Sequence, residues 1–252
     1  MKLKPSGEGK KINVSIIQII TNEMRLSDMM DAKLFAQALA IFLYGLIIIG
    51  LLLFIPAGTL DYFNGWLFMA LLFIPMFIAG IILFIKSPDL LRKRLNAKEE
   101  ESEQKIVILV SGIIFLLSFI LAGLNFRFGW FHLPHTVIII ASIIFLLSYI
   151  MYAEVLRENM YLSRTVEVSE NQKVVDSGLY GLVRHPMYTS TIFLFLSMPL
   201  ILDSIFSFVI MLIYPIIIFF RIRNEEKILE SELDGYREYK EKVKYKILPF
   251  IW

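Results

Sequence analysis

The chain of 252 residues has no cysteine and only three histidines, and 19% of its residues are charged. Without a thiol there is no disulfide, no thiolate metal site and no cysteine nucleophile. His132, His135 and His185 are scattered. His132 and His135 stand three apart beside Pro134, with no carboxylate or further histidine next to them in sequence, so the pair reads as an interfacial loop and not a metal site. The net charge is only +2, and the basic residues lie between apolar runs, which excludes the single basic patch of a nucleic-acid partner. The first long apolar run starts near Leu34, too far in for a signal peptide, and no small-residue cleavage site follows. The N-terminus is therefore expected to be retained. No internal repeat is evident, which argues against a transporter built from paired halves.

What the chain has instead is hydrophobicity: 57% apolar residues and a mean hydropathy of +0.68. Several apolar runs approach the ~20 residues that cross about 30 Å of hydrocarbon. The predicted fold is all-α, a polytopic transmembrane helical bundle of about six membrane segments. Residues 34–57, 66–85, 106–124 and 136–156 form four spans. Residues 189–201 and 205–220, broken at Pro199 and Asp203, form a helical hairpin. The charged segment from Lys86 to Lys105 must be solvated, as a loop or an interfacial helix, and residues 125–135, rich in Trp and Phe, suit a headgroup loop. Three regions follow: an amphipathic, interfacial arm over 1–33, with Ile16, Ile17, Ile20 and Met24 near helical spacing; a four-span region over 34–156; and a C-terminal region over 157–252. Lys and Arg concentrate in the N-terminal arm, the 86–105 loop, the 157–184 stretch and the tail, so both termini and the polar C-terminal region are expected on the cytoplasmic side.

Two polar clusters stand at membrane borders on that side. In the first, Gly178 and Gly181 permit a tight turn, Pro186 biases His185 away from helix, and Tyr180 and Tyr188 offer flat faces with polar ends beside Arg184. Read alone, it also suits a helix-entry turn whose Arg184 and His185 meet lipid phosphates. In the second, continuation of the last apolar helix past Phe220 would stack Arg221 and Glu225 on one face and point Glu226 about 100° away. A charge run leaving the membrane, and Tyr236 with Tyr239 as an interfacial packing pair, would explain that segment equally well. Two such clusters on one side favour a site.

Gly178-x-Tyr180-x-x-Val183-Arg184-His185-Pro186-x-Tyr188, then Arg221-x-x-x-Glu225-Glu226, Tyr236-x-x-Tyr239 and Pro249, resembles the isoprenylcysteine carboxyl methyltransferase family and the wider integral-membrane methyltransferases that include phospholipid N-methyltransferases. The match runs from Val166 to the end; the first four spans match only in being hydrophobic. The resemblance implies S-adenosylmethionine as methyl donor and a lipid-tailed or prenylated acceptor drawn from the bilayer. It also implies that Lys173, Val174, Val175, Gly178, Tyr180, Arg184, His185, Pro186, Tyr188, Glu225 and Glu226 form the cofactor pocket. Glu225 would hold the cofactor's amino group, and Arg221 with Glu225 would form the catalytic pair. An amine acceptor would need a proton acceptor, for which Glu226 is the candidate. Lys246 replaces an Arg common in the family, which would weaken a bidentate contact there. Phospholipid methylation, an NADPH-dependent sterol or enone reductase sharing an Arg-His-Pro-x-Tyr element, and a non-enzymatic scaffold are the alternatives. The reductase is disfavoured by Thr189-Ser190-Thr191 after Tyr188.

Overall fold

The computed structural model describes residues 8–95, 102–159, 161 and 172–252, with the side chains of 8–31 and 102–104 outside the description. The amphipathic face expected for the N-terminal arm, and Val166, where the resemblance begins, lie outside it. The described residues form nine α-helices: α1 (Glu8–Ala57), α2 (Phe63–Lys86), α3 (Pro88–Leu95), α4 (Ser102–Phe128), α5 (His135–Glu158), α6 (Pro186–Ile201), α7 (Ile205–Met211), α8 (Ile213–Glu232) and α9 (Tyr236–Lys242), with a 3-10 turn over Gly178–Gly181. The chain divides within α1 into two units, residues 1–43 and 44–252. The first is helical from Glu8 onward; all that follows concerns the second.

Among the described residues, five helical stretches are long and apolar enough to cross a membrane: Ala32–Ala57, which begins in the first unit, Phe63–Lys86, Lys105–Phe128, His135–Glu158 and Ile205–Glu232. Their outer faces carry Ile74, Leu109, Ile139 and Leu147, each more than half exposed, which only a lipid surround explains at this density. The protein is an integral, multi-pass membrane protein. The helix α6 has 16 residues, about 24 Å at 1.5 Å per residue, short of a full crossing. The last span is interrupted at Leu212, between α7 and α8, because Pro215 has no amide hydrogen to donate to the Met211 carbonyl one turn earlier.

One boundary differs from expectation. The helix α4 runs on to Phe128, through residues 125–128 that composition assigned to a headgroup loop, because nothing breaks it before Gly129, which adopts a φ of 59°. The solvated segment after Lys86 contains α3, with Leu90 and Leu91 buried. The hairpin falls as expected near Asp203, in the left-handed region at φ 58°, while Pro199 sits inside the last turn of α6.

At the end of the bundle away from the charged tail, the turns are tied together. Tyr62 stacks on Phe126 at 4.3 Å between ring centroids and donates its hydroxyl to the Leu202 carbonyl at 2.6 Å. Asp203 accepts the Leu133 amide at 2.6 Å and meets His132 Nδ1 at 2.7 Å, so His132 does have a carboxylate partner, 71 residues away in the chain. Gly123 lets α4 approach α1 closely; a Cβ there would lie 2.5 Å from the Leu53 carbonyl oxygen. The helix α6 packs chiefly along α5, running the opposite way. The end of α5, the 3-10 turn, the start of α6 and the charged half of α8 consequently meet at one end of the bundle.

Candidate functional site

The polar half of α8 is a direct helical extension of its apolar half, unbroken from Ile213 to Glu232, so Arg221 and Glu225 sit one turn apart where the apolar sequence stops. The helix α6 faces them. Pro186 opens it at the first helical position, where its missing amide hydrogen costs nothing, and His185 caps it with a non-helical φ of −126° and ψ of 61°. That start places Tyr188 in the first turn. Its hydroxyl accepts from Arg221 Nε at 2.8 Å and donates to Glu225 Oε2 at 2.6 Å. Cation, phenol and carboxylate form one hydrogen-bonded row across two helices, and each hydrogen bond to a charged group contributes about 1.5–3 kcal/mol.

A second network lies behind this row. Arg184 Nε donates to Glu226 Oε1 at 2.8 Å, with both side chains nearly inaccessible, while Arg184 Nη1 donates to the Val243 and Lys244 carbonyls at 2.7 and 2.9 Å. Lys246 Nζ meets Glu226 Oε2 at 2.9 Å and His185 Nε2 lies 3.3 Å from Oε1. Main-chain bonds from Arg184 to Tyr245 and from His185 to Lys246, at 2.9 and 2.8 Å, and Thr189 Oγ1 to the Ile247 carbonyl at 2.7 Å complete the attachment. Residues 243–247 are thereby strapped onto the entry of α6. The Lys246 ammonium also lies 4.9 Å from the Trp252 ring centroid, so this position makes its contacts as a point charge without a guanidinium fork.

The site floor comes from the 3-10 turn. Tyr239 Oη donates to the Tyr180 carbonyl at 2.7 Å, and Asn159 Nδ2 donates to the Tyr180 hydroxyl at 3.0 Å. Gly178 has a φ of 55°, and a Cβ there would overlap the Glu158 carboxylate, which accepts the Leu179 amide at 2.9 Å. This close approach needs glycine. Burial pushes the hydroxyls of Tyr180, Tyr236 and Tyr239 well above their ordinary range, so they remain neutral donors. At the rim, the Lys242 ammonium 2.6 Å away holds the Asp176 carboxyl below its ordinary value.

Between these elements lies a cleft with about 860 Å³ of empty space, its open mouth included. Lys173, Val174, Val175, Tyr180, Arg184, His185, Tyr188, Arg221 and Glu225 line it. Gly178, Pro186 and Glu226 do not. Gly178 and Pro186 shape the backbone, and Glu226, a helical step of about 100° from Glu225, faces Arg184 and Lys246 instead. Tyr236 and Tyr239, which the sequence left open as a packing pair, line the cleft with Asn159 and Gln172. The Tyr236 hydroxyl is buried with no hydrogen-bond partner among the described residues, although it borders the cleft. A buried polar atom of this kind calls for a partner, from a ligand or an ordered water. The donor set suits a zwitterionic, aromatic ligand: a carboxylate at Glu225 for an ammonium, apolar walls at Val174 and Leu229 for a flat ring, and tyrosine faces for a cation.

The segment that builds the cleft is similar to a family of methyltransferases, in a multi-pass membrane protein. Residues 135–233 match the family model of the phospholipid methyltransferases, a segment that contains α5, α6 and α8 with Tyr188, Arg221 and Glu225. Among solved structures the chain is similar to the eukaryotic intramembrane Ras methyltransferase, isoprenylcysteine carboxyl methyltransferase, at 18% identity over 86% of each chain with a TM-score of 0.44. No curated protein matches the chain.

Proposed function

We propose that the protein uses S-adenosylmethionine to methylate the carboxylate of an isoprenylcysteine-like, lipid-tailed acceptor, with the cleft opening to the cytoplasm. The observation that carries this reading is the Arg221–Tyr188–Glu225 row, which presents a cation and an anion on one cleft wall at the point where a membrane helix turns polar. When bound, S-adenosylmethionine supplies an electrophilic methyl group on a sulfonium. Glu225 answers the positive charge of that ligand, the tyrosine faces add cation–π attraction, and the Tyr236 hydroxyl gains an acceptor. Arg221 pairs with the acceptor carboxylate, which is ionised at neutral pH and needs no base. The residues thus act by alignment and water exclusion, effects that together reach about 7–11 kcal/mol in well-oriented reactions.

The family match to phospholipid methyltransferases supports a second acceptor, a lipid amine. That chemistry requires a proton acceptor, and Glu226, the residue the sequence offered for it, is committed to Arg184, His185 and Lys246. The carboxylate reading needs no such group. The test is thermal stabilisation of the purified protein by S-adenosylhomocysteine and not by NADPH, lost in Glu225→Ala. Stabilisation by NADPH alone would overturn it. Turnover of a prenylcysteine analogue, set against phosphatidylethanolamine vesicles, then separates the two acceptors.

A further inference from the structure

After the short helix α9 the chain forms the polar strap over residues 243–247 and then returns to the apolar half of α8. Trp252 makes that return: its ring stacks on Phe219 at 5.0 Å between centroids, and its main-chain oxygen accepts the Lys246 and Ile247 amides at 2.9 and 3.0 Å. Between strap and tryptophan, Leu248, Pro249, Phe250 and Ile251 form a tight turn, closed by the Ile251 amide on the Leu248 carbonyl at 3.2 Å. Proline suits the second position of such a turn. The third favours glycine when φ is positive, yet Phe250 occupies it with a φ of 66°. Its side chain, 87% exposed, and that of Ile251, 77% exposed, are the two most exposed large apolar groups among the described residues. A strained backbone thus holds two apolar side chains outward, an arrangement that is unfavourable twice over in water.

We propose that this turn is seated in the interfacial layer of the bilayer, with Phe250 and Ile251 among the lipids, and that this contact holds the strap against the entry of α6. Continuity with the lipid-facing surface identifies the occupant. Ile213, Ile216 and Phe220 recur at helical spacing along α8 and are exposed like the outer faces of the other spans. Phe220 packs edge-on against Phe219, the ring on which Trp252 stacks, at 5.5 Å between centroids. The turn therefore extends that apolar face at the height where α8 passes from Phe220 to Arg221. The neighbouring charges suit headgroups: the Lys246 ammonium lies over the Trp252 ring and the Arg223 guanidinium lies 5.7 Å from the Phe219 centroid, the mixture of cations and aromatic rings typical of a membrane border. Burial in lipid offsets the strain at Phe250. The strap is tied to the turn, since Lys246 bonds Trp252 through its amide and Glu226 through its ammonium, so freeing the turn loosens the network behind the cleft.

The chain has no cysteine, so Ile251→Cys gives it a single labelling site. In nanodiscs that hold one copy of the full chain, a fluorescent dye at this position should be quenched by lipids carrying a nitroxide near the glycerol and spared by aqueous iodide. The same dye on Arg237→Cys, at an exposed position of α9, should show the reverse. Quenching of the Ile251→Cys dye by iodide and not by the nitroxide lipid puts the turn in water, free or open to a second copy, and overturns the inference. Tryptic cutting after Lys244 and Lys246 reads the anchoring separately. Phe250→Gly fits the turn's φ better but removes the ring, so cutting should rise about tenfold, the loss of one seated aromatic side chain. Phe250→Trp, which also suits the interface, should leave cutting unchanged. Unchanged or slower cutting in Phe250→Gly, or a rise as large in Phe250→Trp, overturns the anchoring.

Discussion

Replacing Glu226 by alanine removes the one carboxylate among the described residues that pairs with Arg184 and Lys246 behind the cleft. The Glu226 and Arg184 side chains are 6% and 4% exposed, so water cannot take over as partner of Arg184, whereas Lys246, at 20%, keeps access to solvent. Truncating one member of a buried ion pair costs about 3–5 kcal/mol, because the other charge stays buried and unanswered. At about 2–4 °C per kcal/mol for a chain of this size, Tm should fall by roughly 6–20 °C. Glu226→Gln keeps an acceptor oxygen for Arg184 Nε and should lose less, about 1.5–3 kcal/mol. Because residues 243–247 hang on the same network, limited proteolysis of Glu226→Ala should cut near Lys244 and Lys246 before the helices are touched. Differential scanning fluorimetry in detergent, run with and without S-adenosylhomocysteine, reads both roles. A Glu226→Ala protein with unchanged Tm but no response to S-adenosylhomocysteine would refute this reasoning and return Glu226 to the ligand pocket.

Tyr188→Phe removes the hydroxyl shared by Arg221 and Glu225 and keeps the ring. Two hydrogen bonds to charged groups are lost, so kcat/KM should fall about ten- to a hundredfold and Tm should fall as well; an unchanged kcat/KM would show that the row does not position the reactants. The buried tyrosines fix the alkaline limit. Folded Tyr180, Tyr236 and Tyr239 hold their protons above the unfolded value of about 10, so the unfolded chain loses them first and stability declines as pH rises beyond it. Tyr236→Phe/Tyr239→Phe should flatten that decline in Tm measured against pH, and an unchanged slope would contradict the assignment.

The sequence by itself was enough for the bilayer-spanning class, because length and hydropathy of a helix are local quantities and the cost of unsatisfied backbone in lipid leaves helices as the answer. It also carried the cap at His185 and Pro186, whose ring restricts the residue before it, and the one-turn spacing of Arg221 and Glu225. Local rules misplaced the end of α4, since Asn125 through Phe128 look like a headgroup loop until Gly129 is seen to be the first breaker. Partners distant in the chain were beyond reach of such rules. His132 gains a carboxylate only because α4 and α6 end at the same height, and Tyr188 joins Arg221 to Glu225 only because α6 and α8 face each other. Glu225 and Glu226 are adjacent and chemically identical, yet the helical step between them sends one to the cleft and the other to Arg184. Only the tertiary structure decided that division, because a carboxylate's role is set by the charges packed around it and those arrive from elsewhere in the chain.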